Sequence, residues 1–183
     1  MHIENKPSLP LQAMINANEH GKHELIVVVK ATFDSLQALK LASEMQEIHQ
    51  KDVFWGEPET SSLRYASEMH LGKPGTDILM HAHAYAPNGQ AVRESNVAIS
   101  VGQYNLSLKV FGDRIWQSKQ ISSTKQFVRI PLVYEYAFGD PNNEFNPVGR
   151  SETLLANIED PQCLVEDSKS TPMPISPSPI ASH

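Results

Sequence analysis

Several features that mark particular protein classes are scarce in this sequence. Cys163 is the only cysteine, which excludes an intrachain disulfide and makes a reducing compartment the simplest home for the chain. The longest apolar run, residues 25–29, is far shorter than the roughly 20 residues that span a bilayer. The first residues contain no basic stretch leading into an apolar one, as a secretory signal would. We therefore expect a cytoplasmic protein without membrane insertion.

An excess of basic residues is also missing. The chain has 15 Lys and Arg against 21 Asp and Glu, a formal net charge of −6, which opposes non-specific attraction to nucleic acid and to anionic lipid. Its 183 residues, 40% hydrophobic and 20% charged, have the length and composition of one globular domain. Nucleic acid is accordingly not an expected partner.

Alternation with a period of two residues predicts several β-strands. It is clearest in residues 25–33, where both faces are apolar at the start, which favours a central position in a sheet. The Asn88-Gly89 dipeptide predicts a hairpin between strands at 78–86 and 92–101. A second connection at 102–105 leads into a strand at 106–111.

Other segments are less regular. A strand at 127–134 contains Pro131, which favours a sheet edge or a bulge. Residues 35–50 have helical spacing behind Ser35 as a helix cap, although the family resemblance described below favours strand for 39–50. A long loop follows residue 136, and beyond residue 167 alternating prolines predict an extended arm.

These patterns together predict a mainly β protein with little helix. We expect a single antiparallel β-sandwich or barrel-like domain with long loops. The predicted division is an N-terminal segment 1–22, a β-rich domain 23–161 and a Pro/Ser-rich C-terminal arm 162–183.

Motifs for catalysis, cofactors or metals are weak. The segment 72–76 lacks the spacing of a phosphate-binding loop, and a tight turn explains it better. His81 and His83 would share one face of a strand, at a spacing that could hold an ion, but no third ligand follows at a diagnostic distance. Cys163 has no neighbouring histidine in sequence and is expected to be a spectator. We expect no enzyme activity, no cofactor and no metal.

Acidic residues at strand ends leave one catalytic alternative open. Two carboxylates that converge could hydrolyse a glycosidic bond, although acids at such positions more often cap turns or pair with arginines. The candidates are Asp77, Asp113, Glu135 and Asp140. A carbohydrate-active or carbohydrate-binding β-sandwich that uses Asp77 and Asp113 is therefore the alternative hypothesis.

Eight short motifs follow one another along the chain between residues 23 and 161. They are V-V-V-K-A-T-F (27–33), S-S-L-R-Y (61–65), K-P-G-T-D (73–77), A-Y-A-P-N-G (84–89), V-F-G-D-R-I-W (110–116), P-L-V-Y-E-Y-A-F-G (131–139), N-P-V-G-R (146–150) and N-I-E-D-P (157–161). In this order they resemble a bacterial family of unknown function, encoded beside type VI secretion spike and effector genes, often with pentapeptide-repeat proteins. The family pattern continues beyond the proline-rich stretch, so the resemblance implies a short or truncated member.

The resemblance implies an adaptor chaperone that binds a type VI effector and helps to load it onto the spike complex. Its expected partners are the effector and the spike and tip proteins, and the sequence leaves a homo-oligomer open. Aromatic anchors beside charged or turn-forming residues predict the recognition surface. The predicted partner-binding residues are Asp113, Arg114, Trp116, Phe138, Asn146 and Arg150. A purely structural subunit of the secretion particle is a further alternative.

Overall fold

A computed structural model describes residues 9–18, 20–34, 39–70, 75–117, 120–150 and 153–166. The predicted cap at Ser35, most of the turn at 72–76 and the arm beyond residue 166 lie outside these residues. The chain forms two compact units. One comprises the described parts of Met1–Val53 and Tyr65–Asp77, and the other those of Phe54–Arg64 and Ile78–His183.

Short antiparallel strands make up nearly all the regular structure of the described residues. In chain order they are β1 (Leu11–Ala17), β2 (His23–Val29), β3 (Phe33–Asp34), β4 (Lys40–Leu41), β5 (Val53–Phe54), β6 (Leu63–Tyr65), β7 (His83–Tyr85), β8 (Glu94–Val101), β9 (Tyr104–Phe111), β10 (Trp116–Gln117), β11 (Gln120–Ile121), β12 (Arg129–Pro131) and β13 (Ile158–Glu159). Single 3-10 turns occur at Pro87–Gly89 and Tyr134–Tyr136. The predicted mainly β class, with antiparallel strands, long loops and little helix, is confirmed. None of the described helical segments is long and apolar enough to cross a membrane.

The first unit is built on the β1–β2 hairpin. Its register runs from Leu11 opposite Val29 to Ala17 opposite His23. At the turn, the side-chain oxygen of Asn18 accepts hydrogen bonds from the backbone N–H groups of His20 and Lys22. The expected central position of the strand at 25–33 is wrong for the described chain, in which β2 pairs only with β1.

Tertiary context overrides helix propensity in residues 39–50. Leu39 has a φ of 56°, and β4 follows it to pair with β3, with Phe33 opposite Leu41. The remainder to residue 50 is irregular rather than helical. Of the strand that the family resemblance implies for residues 39–50, only Lys40–Leu41 is observed as a strand.

The second unit contains a three-stranded sheet in the order β13-β9-β8. A two-residue loop that begins at Gly102, with a φ of 60°, joins β8 to β9. Glycine at that position suits a type II′ hairpin turn. The expected connection at 102–105 is confirmed by the register from Val101 opposite Tyr104 to Glu94 opposite Phe111.

The hairpin predicted across Asn88-Gly89 is wrong. Asn88 and Gly89 have φ values of 54° and 69°, but they form a local 3-10 turn, after which Val92 still pairs antiparallel with Phe127, next to β12. Strand β7 pairs with β12, and β8 pairs with β9. Burial explains the choice, because Ala84 of β7 lies opposite Ile130 of β12 and both belong to one core cluster with Val110 and Phe127. Pro131 ends β12 in a ladder of two strands, in line with the predicted edge position.

Candidate functional site: a partner-binding surface

Arg114, predicted as a partner-binding residue, lies in the interior of the second unit. Only 4% of its surface is exposed. It donates hydrogen bonds to the carboxylate of Glu159 and, at 2.7 Å, to the carbonyl oxygen of Ala156. Its guanidinium also stacks on the ring of Phe111, 3.8 Å from the centroid. The ion pair therefore links β13, which contains Glu159, to the chain segment just after β9, which contains Arg114.

Arg150 and Asp113 form a second polar cluster in the same unit. Arg150 donates to the side-chain oxygen of Asn157 and, at 3.5 Å, to the carboxylate of Asp113. Asn157 is fully buried and donates to the carbonyl oxygen of Phe111 at 2.9 Å. The guanidinium of Arg150 lies 4.2 Å from the ring centroid of Tyr136. The hydrogen bonds of Asn157 to Phe111 and Asp113 join segments that are more than 40 residues apart in sequence.

Asn146 holds the loop after residue 138 in place. It is 1% exposed, and its side-chain nitrogen donates to the carbonyl oxygens of Tyr134 and Phe138, each at 2.9 Å. Gly139 and Gly149 make this close approach feasible, since a Cβ on Gly149 would lie 2.6 Å from the backbone nitrogen of Gly139. The glycines of the two motifs at 131–139 and 146–150 are thus required by packing.

The six predicted residues therefore differ in exposure. Arg114 and Asn146 are interior supports of the fold, whereas Trp116 and Phe138 are half-buried at its boundary. Asp113 keeps 47% of its side chain exposed, and Arg150 keeps 18%. Partner binding by this set stays a prediction.

A more exposed apolar surface lies on the β1–β2 hairpin of the first unit. The register places Leu11, Ala13, Ile15 and Ala17 on one face together with residues of β2 directly opposite. Those opposing residues are Val29, Val27, Leu25 and His23. We call this surface, which contains no Asp, Glu, Lys or Arg, the hairpin face.

The hairpin face is open to solvent in the described chain. Ile15 is 63% exposed, Val29 52%, Leu25 45% and Val27 43%. The opposite face of the same hairpin is mixed, with the polar residues Gln12, Asn16 and Glu24 beside the apolar Met14, Ile26 and Val28. Solvated faces of antiparallel sheets are normally the polar ones, and a two-stranded hairpin is only marginally stable in water without packing against other structure. This exposure makes the hairpin face a candidate binding surface.

The sequence reasoning missed half of this surface. The sequence analysis predicts the strand at 25–33 but treats residues 1–22 as an N-terminal segment and predicts no pairing partner for that strand there. A partial signal is present in β1, where Leu11, Ala13 and Ile15 alternate with the polar Gln12 and Asn16, and the apolar Met14 interrupts the pattern.

A second exposed apolar stretch occurs in the second unit. The consecutive residues Ile78, Leu79 and Met80 are 52%, 63% and 36% exposed.

Next to them in sequence, the ring of His81 meets Trp55 edge-on with centroids 6.0 Å apart, and the guanidinium of Arg64 covers Trp55 at 4.4 Å. Partial burial, with a smaller contribution from the charge of Arg64, lowers the pKa of His81. Trp and Arg are the residue types most enriched among interface anchors.

The histidines do not form a metal site within the described chain. His81 precedes β7 and contacts Trp55, while the Nε2 atom of His83 lies 2.7 Å from a guanidinium nitrogen of Arg129. No group of three or more His, Cys, Asp or Glu side chains with suitable geometry occurs among the described residues.

The candidate catalytic carboxylates make structural contacts. Glu135 accepts hydrogen bonds from the backbone N–H and hydroxyl of Ser62, at 2.7 and 2.8 Å. Asp140 accepts one from the N–H of Asn142 at 2.9 Å, as in a turn cap. Asp77 and Asp113 fall in different units.

A shallow cavity of about 310 Å³ lies against β8 and β9. Its lining consists of Asn96, Val97, Ala98, Ser107, Leu108 and Pro161. None of these side chains titrates near neutral pH, so this cavity offers no general acid or base.

A comparison with protein families identifies the class of this chain. Residues 20–183 match the model of the family described as "Uncharacterized protein conserved in bacteria (DUF2169)". The chain belongs to the DUF2169 family. The match includes β2 and the whole second unit, and thus the interior polar contacts of this DUF2169 member. Searches of curated proteins and of solved structures gave no match.

Proposed function

We propose that this DUF2169 protein is an adaptor chaperone of the bacterial type VI secretion system. It binds a protein effector in the cytoplasm and helps to load it onto the spike complex. The ordered motifs between residues 23 and 161 support the secretion context, and membership of a bacterial family is consistent with it. The observation that carries the binding role is the hairpin face, which is apolar, uncharged and exposed.

The chemistry of the hairpin face suits the capture of a polypeptide. Its side chains are aliphatic apart from His23, so the free energy of binding comes mainly from removing apolar surface from water, at about 25 cal/mol per Å². The hairpin can present this face to a partner helix or strand, and its backbone edges can pair with an extended segment. No covalent chemistry is needed for this role.

The first experiment uses the full chain as bait in a type VI-competent bacterium, with and without the neighbouring effector gene. Partners are identified by mass spectrometry. We expect an effector in the eluate, with or without spike components. Recovery of neither contradicts the adaptor function. Recovery of the spike in equal amounts whether or not the effector is present favours the structural-subunit alternative.

Matched variants then test the surface. Val27→Lys places a charge in the centre of the hairpin face, and Val128→Lys makes the same change at a valine that is 50% exposed in the second unit. We expect Val27→Lys to weaken effector binding at least tenfold, because a charge buried in an apolar interface without a partner is strongly unfavourable. Val128→Lys should bind like the native chain. Equal binding by both variants would show that the effector binds another surface. It would contradict the assignment to the hairpin face but not the adaptor function.

A further inference from the structure

The outer edge of β8 is a long, unprotected sheet edge. Strand β8 spans Glu94–Val101 and pairs on one side with β9. No strand of the described chain pairs with its other side. Natural proteins usually prevent the edge strand of a sheet from pairing with another chain by keeping it short or by placing a lysine, a proline or a bulge in it. Strand β8 contains no Lys or Pro, and its register with β9 is continuous over all its residues.

The turn fixes which backbone groups of β8 point outward. Val101 and Tyr104 flank the two-residue loop, so the carbonyl of Val101 and the N–H of Tyr104 close the turn. Hydrogen-bonded and non-hydrogen-bonded pairs alternate along an antiparallel ladder. The N–H and C=O groups of Ser95, Val97, Ile99 and Val101 therefore point toward β9. Those of the even-numbered residues of β8 point away from the sheet.

The two faces of the β8–β9 hairpin differ in polarity. Glu94, Asn96, Ala98 and Ser100 are exposed on one face. On the other face, Val97 packs against the core, and the face remains apolar to the tip of the hairpin. There Leu106 is 47% exposed, Tyr104 67% and Val101 43%. The apolar face thus extends past the part of the sheet that the core covers.

We propose that β8 pairs with β8 of a second copy of this chain, antiparallel and across a two-fold axis at Ala98. In this register Ala98 faces Ala98 of the second copy, and Asn96 faces its Ser100. These are the residues whose backbone groups point outward, so each facing pair exchanges both of its hydrogen bonds. The result is a continuous sheet with β8 of each copy at its centre.

Side-chain pattern and charge favour a second copy as the occupant. The two-fold axis stands perpendicular to the sheet and keeps the two apolar faces on the same side. Val97 then lies opposite Ile99 of the second copy, and Val101 lies opposite its Ser95. The paired segment, residues 95–101, contains no charged residue, so no charge meets its own copy. Glu94, the one charge on β8, lies beyond the paired segment and bonds Lys109 at 2.7 Å.

Cysteine cross-linking tests the register. Both variants are made in the full chain carrying Cys163→Ser, so that the introduced cysteine is the only one. In Ala98→Cys, the two Cα atoms would lie about 5.5 Å apart, within disulfide range. The control is Ser107→Cys, which lies directly opposite Ala98 on β9 and is also exposed. Its two copies would lie roughly 15 Å apart, one strand further out on each side.

We expect Ala98→Cys to form a disulfide-linked dimer under mild oxidation at least tenfold faster than Ser107→Cys. Equal rates would overturn the proposed pairing. Sedimentation equilibrium of the native chain should give about twice its 20.4 kDa mass. A mass of 20.4 kDa at 100 µM or more of protein, together with equal cross-linking rates, would show that β8 is a free edge.

Ala98→Pro provides an independent test of the dimer. Proline is tolerated on an edge strand where its missing N–H faces outward, so β8 should still pair with β9 while the second copy is blocked. We expect a monomer with an unchanged far-UV circular dichroism spectrum. A dimer that persists in this variant contradicts the proposal. Effector binding through the hairpin face is measured separately, so the two proposals fail independently.

Discussion

Replacement of Glu159 by glutamine should destabilise the second unit strongly. Glu159 and Arg114 are each 4% exposed, and their ion pair links β13 to the corner after β9. Glutamine preserves the size of the side chain but removes its charge. Removing one partner of a buried pair typically costs about 3–5 kcal/mol, because the other charge stays buried without compensation. The Nε atom of Arg114 has no hydrogen-bond partner among the described residues, so the guanidinium would keep the Ala156 hydrogen bond and the Phe111 contact but no opposite charge from Glu159.

The matched control lies in the same three-stranded sheet. Glu94 of β8 pairs with Lys109 of β9 at 2.7 Å, but 55% of the Glu94 side chain is exposed. Exposed ion pairs contribute about 0–1 kcal/mol. Glu94→Gln should therefore change the free energy of unfolding by less than about 1 kcal/mol, although it removes the same charge.

Urea unfolding followed by tryptophan fluorescence measures this difference. Trp55 and Trp116 both belong to the second unit. With a slope of about 2 kcal/mol per molar urea, a loss of about 4 kcal/mol lowers the midpoint by about 2 M. Glu94→Gln should lower it by less than about 0.5 M. Equal shifts for the two variants would refute the reasoning, since burial would then not determine the contribution of the pair.

Two further predictions concern the individual units. Gly112→Ala should lower the thermal midpoint by several degrees, because the added Cβ would overlap a backbone carbonyl oxygen. Gly75→Ala should leave the midpoint unchanged, because no heavy atom lies within 4 Å of its Cβ position. Equal midpoints for the two variants would contradict the packing argument. Partial burial raises the pKa of Glu68, but the His49 N–H hydrogen bond and the Lys30 ion pair outweigh it and lower the pKa overall. The stability that Glu68 contributes is therefore present above its unfolded-state pKa and is lost as the pH falls through its folded-state pKa. Between pH 6 and pH 3, the thermal midpoint of Glu68→Gln should fall less than that of the native chain. Identical pH profiles of the midpoint would contradict this assignment.

The sequence predicted the class of the fold better than its strand pairing. Alternation located β2, β8, β9 and β12, because side-chain period is a local property. Pairing is decided by burial between distant segments. Asn88 and Gly89 have the positive φ values of a tight turn, but the core contact between Ala84 and Ile130 directs β7 to β12.

The candidate site shows the same limit. Arginine is common among interface anchors, which is why the sequence analysis predicts Arg114 as a partner-binding residue. Sequence alone could not show that Arg114 would find Glu159, 45 residues away, and be buried with it. Exposure of the hairpin face was equally hidden, since Leu25 and Val27 have the composition of a core strand.

Hydrogen–deuterium exchange of the chain, alone and bound to the effector recovered with it, tests the central claim most directly. If the hairpin face holds the effector, the amides of Leu11–Ala17 and His23–Val29 should exchange at least tenfold more slowly in the complex, because covered strands open less often. Unchanged exchange in both strands, with protection confined to other segments, would contradict the assignment of the binding surface to this hairpin.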